Sequence, residues 1–196
     1  MALVVGLAAT AQAQGYERTR AEGADPPTCV WWESRRYEYR VDAAADDATA
    51  SAIDAAFASW QAVADGCADF TFVQGPRVAA PQVGVGTADD NVVTFRRRAC
   101  RDVVTAGDGC LATNACANGY ACWDHSALTL ALTTATYARR TGVISDADVE
   151  LNAAPKPSGG CFVFTTVSAP PCDAVHRRVM RRRRAWAASH TTCRTR

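Results

Sequence analysis

An α+β fold built on one large sheet is predicted by the order of periodicities along the chain. Three observations carry this. In RYEYRVD, Tyr37, Tyr39 and Val41 alternate with charged residues, as a half-buried strand requires. In TASAIDAAFASWQAVADGC, Ile53, Phe57, Trp60 and Ala64 recur at helical spacing and share one face. Further on, ALTLALTTATY and VISDADVELN return to a period of two. The 196 residues, 48% of them hydrophobic, suffice for one domain with its own core and exclude a disordered chain.

The elements follow in order. Residues 1–13, MALVVGLAATAQA, read as a secretory signal: a short apolar run, then the small-x-small pattern of Ala11, Gln12 and Ala13. A basic start is missing, so the signal is expected to be truncated. The run is too short to span a bilayer. Residues 14–28 form a polar leader. After the first strand, residues 42–47 are a polar, Ala-rich connection. The helix is expected over 51–64, with Ser51 and Asp54 spaced like a capping box and Gly66 as its stop. Phe70 and Phe72 alternate in a second strand, and VGVG (83–86) and NVVTF are short strand candidates. Residues 97–126 break the pattern. They hold four cysteines and scattered glycines, which predicts a disulfide-held surface insertion. RRTG is a turn between the two later strands, and CFVFTTV is a last strand before Pro170 and Pro171.

Cysteine usage agrees with export. Nine cysteines are present and no pair has C-x-x-C spacing, so a disulfide framework is expected, not a zinc knuckle or redox motif. Eight of them precede the last 21 residues and could form four bridges, of open connectivity. The net charge of +1 conceals an asymmetry. Residues 1–175 sum to −7, while residues 176–196 hold eight arginines and no carboxylate. The body therefore has no nucleic-acid-binding character.

Taken together, CVWWESRRYEYRVD, AIDAAFASWQAV with CADFTFVQG, NVVTF, LALTTATYARRTGVISDADVELN and PPCDAV resemble the secreted matrixin-like zinc metalloproteases of the metzincin group, above all a bacterial branch. The resemblance covers residues 29–175. It implies a metzincin-like twisted mixed sheet with a long N-terminal helix. It also implies a second helix after an Asp, carrying His-Glu-x-x-His-x-x-Gly-x-x-His. Histidines at i and i+4 on one helix face would bind Zn²⁺, and the Glu would act as general base on its water.

The chain departs from that pattern. Its histidines are His125, His176 and His190, and no His-Glu pair exists. His176 is followed by Arg177, and position 180 is Met. Arg181, Arg182, Arg183 and Arg184 would repel a dication. No catalytic residue and no catalytic zinc are expected, and the active-site helix reads as absent or replaced. Twenty arginines against one lysine, with abundant Ala, suggest a G/C-rich gene in which shifted frames stay open. The Arg-rich end (176–196) is therefore expected to be out of frame from about 173–175; resequencing the locus decides it. The alternatives are a solvated basic tail and a tail that docks on anions. Trp186 is its only aromatic, which gives base stacking little support.

Three further sites stand out. Asp146, Asp148 and Glu150 alternate, and on a strand would share one face whose oxygens suit Ca²⁺. Family members carry an acidic segment there, and in some it binds calcium; a solvated strand face is the alternative. Leu130, Ala131, Leu132 and Thr133 resemble the family's edge strand, which pairs with an extended substrate; a buried strand is the alternative. His125, in the insertion, reads as structural ahead of metal-binding, and the Trp31-Trp32 pair as core packing. The expectation is thus a secreted zinc-dependent endopeptidase in an inactive form. A non-catalytic, disulfide-stabilised peptide-binding module and a basic-tailed anion binder are the alternatives. The family's partners are extended peptides or protein substrates. Neither a membrane nor nucleic acid is an expected partner, and a monomer is expected.

Overall fold

The computed structural model describes residues 18–23, 26–85, 91–157, 159, 162 and 164. The signal, the residues 173–175 and the Arg-rich end lie outside them, as do His176 and His190.

Strand β1 (Arg36–Val41) forms where the alternation predicts it. Tyr37, Tyr39 and Val41 are buried on one face, at 6%, 5% and 1% exposure. Helix α1 (Asp47–Cys67) follows, 21 residues long. It starts four residues before the expected Ser51. The cap is Asp46, whose carboxylate accepts the Thr49 N–H at 2.7 Å. A hydrogen bond from the Thr49 side chain, followed by this backbone one, holds the Asp46 carboxyl below its usual range. Of the stretch read as a connection, residues 42–46 precede the helix and only Asp47 belongs to it; the added first turn is Asp47–Ala50, set by the cap at Asp46. Gly66 does not stop the helix, which runs to Cys67 with Ala68 as C-cap.

Helix α1 lays Ile53 and Phe57 on the buried tyrosines. The Phe57 ring stacks on Tyr39 at 3.8 Å between centroids. Trp60, expected on the same face, is 63% exposed. The helix is turned instead toward β2 (Thr71–Gln74), where the Gln61 amide accepts the Phe72 N–H at 2.7 Å and donates to the Phe70 carbonyl at 3.2 Å. This apolar layer, with Trp32, Phe70 and Phe72 around it, is the main core.

Strand β3 (Val92–Arg96) is the NVVTF segment and is buried throughout. VGVG gives no strand over 83–85. Gly84 has φ +71°, and the backbone groups of Val83 and Gly84 bond to side chains, not to a neighbouring strand. The insertion folds into three short helices: α2 (Cys100–Val103), α3 (Cys110–Thr113) and α4 (Ala117–Tyr120). Disulfides Cys100–Cys122 and Cys110–Cys116 staple it. Cys29 and Cys67 are not bridged, and the remaining three cysteines lie outside the described residues.

Strands β4 (Ala131–Tyr137) and β5 (Ile144–Asn152) form the predicted pair around the RRTG turn. Gly142 there has φ +72°, and a Cβ would lie 2.6 Å from the Cys29 carbonyl oxygen, so only glycine fits. The sheet has five strands in the order β2-β1-β3-β5-β4. All neighbours are parallel except β4 with β5. Of CFVFTTV, only Phe162 and Phe164 are described. The Phe164 ring meets Phe95 edge-on at 5.2 Å, on the α1 side of β3.

Candidate peptide-accepting edge and the charged face beside it

β4 lies at one edge of the sheet. From Ala131↔Leu151 to Tyr137↔Ile144 it pairs with β5, with one bulge between Thr136 and Tyr137. Among the described residues no other strand pairs with it. Ala131, Thr133 and Ala135 are exposed, while Leu132, Thr134 and Thr136 are half-buried. Leu130 stands just before the strand, 49% exposed, and its carbonyl extends the ladder by accepting the Asn152 N–H at 2.9 Å. The four edge residues named from the sequence are therefore contiguous at the start of an edge strand. Such an edge offers a row of backbone donors and acceptors that an extended peptide can complete.

The neighbouring strand carries the acidic row. Asp146, Asp148 and Glu150 do share one face, but that face is buried, at 0%, 0% and 2% exposure. The register puts Thr94 and Arg96 of β3 on the same side. The residues 75–85 and the insertion cover it. Glu150 and Arg96 form an ion pair at 2.6 Å, with side chains 2% and 1% exposed. Arg96 also donates to the Asn118 side-chain oxygen at 3.2 Å. That amide in turn grips both backbone groups of Val83, accepting its N–H and donating to its carbonyl, each at 2.9 Å. One asparagine of α4 thus ties the insertion, the 75–85 segment and the buried ion pair together.

Asp148 accepts the Gly84 N–H at 2.6 Å and the Val92 N–H at 2.8 Å. Burial nonetheless pushes its carboxyl up to about 7, and the adjacent Asp146 charge adds to this while the two N–H bonds oppose it. Burial, with the Asp148 and Asp146 charges, also raises the Tyr37 phenol well above its ordinary range. Its hydroxyl donates to the Ala147 carbonyl at 2.6 Å.

These partners bear on the calcium reading. Here the Asp148 oxygens serve two backbone N–H groups and Glu150 serves Arg96. Among the described residues no group of three or more His, Cys, Asp or Glu side chains is arranged to hold a metal ion.

His125 lies 3.6 Å from the second Glu150 oxygen, and its ring meets Trp123 edge-on at 5.1 Å. It lines a cleft of about 150 Å³ with Trp123, Asp124, Leu111, Asn152 and Pro155. Sequence reasoning did not find this cleft, because the insertion has no periodicity to place its side chains. Of the tryptophan pair, Trp32 packs on Tyr37 at 5.5 Å. Trp31 is 38% exposed and donates to the Thr141 carbonyl at 3.2 Å. No described helix is long and apolar enough to cross a membrane.

A scan against protein-family models finds none that matches this chain, and searches of curated proteins and of solved structures find no match either.

Proposed function

We propose that this chain is a secreted, disulfide-stapled protein of the matrixin-like zinc endopeptidase type, in an inactive form that keeps the scaffold's peptide-accepting edge. The observation that carries the reading is β4: an edge strand, antiparallel to β5, starting at the residues that resemble the family's substrate strand. The long helix between β1 and β2 supports it, since the resemblance places the first family helix there. Without a His-Glu pair, the sequence offers no ligand helix for zinc and no general base beside it. The described histidine, His125, faces Glu150 and Trp123. No hydrolytic step is assigned to any residue.

The activity left to the edge is strand addition: backbone hydrogen bonds hold an extended segment, and small Ala and Thr side chains impose little sequence preference. The test has two arms on the purified full chain. In the first, casein with added zinc is expected to remain uncut; zinc-dependent cleavage would overturn the inactive reading. In the second, immobilised extended peptides are expected to retain the chain without zinc, and Thr133→Pro to weaken retention. Equal retention of both proteins would remove the edge from the proposal. Salt-sensitive heparin binding, lost when residues 176–196 are deleted, would instead favour the anion-binding alternative.

A further inference from the structure

Edge strands in natural proteins are guarded by charges, prolines, bulges or short length. Among the described residues β4 has few of these guards. It is seven residues long, and from Ser126 to Ala138 the chain holds neither a charged residue nor a proline. Its bulge lies at its far end, between Thr136 and Tyr137. The exposed positions are Ala131, Thr133 and Ala135, preceded by Leu128 and Leu130 at 83% and 49% exposure.

Small side chains let a second backbone come close. Identity adds a sharper condition. When a strand pairs antiparallel with its own copy about a twofold axis, residues near the axis meet residues of the same short segment, so a charge there would oppose itself. The segment ALTTATY contains none. Arg139 and Arg140 come only after the strand ends, away from its middle.

We propose that two copies of this chain associate through β4, edge to edge and antiparallel, joining their sheets across a twofold axis. The partner is a second copy, and the interface is a strand ladder flanked by Leu128 and Leu130. This departs from the monomer expected from the sequence, and it does not rest on the peptide-binding reading, since it needs only the unguarded edge. An edge ladder alone buries less than the 1,200 Å² or so of a standard stable interface, so the association is weak and concentration-dependent.

Sedimentation equilibrium of the full chain over a wide concentration range tests this. The expected result is a monomer–dimer equilibrium. Thr133→Lys is expected to weaken the dimer at least tenfold, and Thr133→Glu likewise, because each charge meets its own kind. Mixing the two variants is expected to restore a dimer containing one of each. Far-UV circular dichroism checks that both variants keep the fold, and Ala135→Lys or Ala135→Glu, at another exposed position of the strand, replaces either that does not. A monomer at every concentration, or a dimer that neither charge weakens, would overturn the proposal.

Discussion

At the scale of single residues, the buried charges on the far face of the sheet decide the response to pH. Asp148 is raised from 3.8 to about 7, chiefly by burial. Between those values the folded chain holds a proton that the unfolded chain has released. The stability this proton contributes is complete below about pH 3.8 and is lost as pH rises through about 7. This group therefore lowers stability by up to about 1.4 kcal/mol per pH unit across that window. Asp148→Asn is expected to flatten the slope between pH 4 and 7 in urea melts. It also lowers stability throughout, because the Gly84 and Val92 N–H groups bond to different Asp148 oxygens and asparagine replaces one of these with an NH2 that cannot accept. An unchanged slope would show that Asp148 titrates alike in both states. The Arg96–Glu150 pair behaves differently. Removing one member strands a buried charge, so Glu150→Leu is expected to cost about 3–5 kcal/mol. Replacing both with apolar residues costs much less, and a double-mutant cycle measured by denaturant midpoint reads the difference.

At the scale of elements, the insertion acts as a clip. Cys100–Cys122 closes a separation of 22 residues, and Asn118 inside that loop holds Val83 and Arg96. Replacing both cysteines with serine is expected to cost about 3 kcal/mol and to lower Tm by roughly 6–12 °C. Limited proteolysis should then cut between Arg101 and Tyr120 before any other described segment; a cut elsewhere first would mean the clip does not depend on this bridge. The elements also show how far the sequence could be read. β1, β4 and β5 follow from alternation because each has one face on a packed layer, which writes the period into the residues. α1 was misplaced by a turn because alanine favours helix without marking where it begins, and the cap at Asp46 outweighed the Ser51 signal. The acidic row was legible as one face of β5, but not as buried. Its partners Arg96 and Gly84 lie 54 and 64 residues away, and no local pattern announces them. The edge role of β4 depends on strand order, which local periodicity does not contain.

At the scale of the whole molecule, the two faces of the sheet contribute unequally to stability. One face is apolar, with Tyr37, Tyr39 and Val41 packed against α1 and Phe95 against Phe164. Its burial stabilises at about 25 cal/mol per Å². The other face is as well sealed, but with Arg96, Asp146, Asp148 and Glu150. There the cost of removing charges from water offsets most of what their pairing returns. α1 leaves Trp60 and Val63 exposed at 63% and 57%, so its outer side adds little. The chain is therefore expected to be marginal, with a midpoint below about 60 °C, in the lower part of the range for ordinary domains. The two faces should also respond differently to solvent. Lowering the pH from 7 toward 5 relieves the Asp148 penalty and should raise Tm, whereas acid usually destabilises a domain whose carboxylates are held ionised. Differential scanning calorimetry at pH 5 and 7 measures both. A cooperative transition well above 60 °C, or a lower Tm at pH 5, would mean that the charged face stabilises the fold more than burial physics allows.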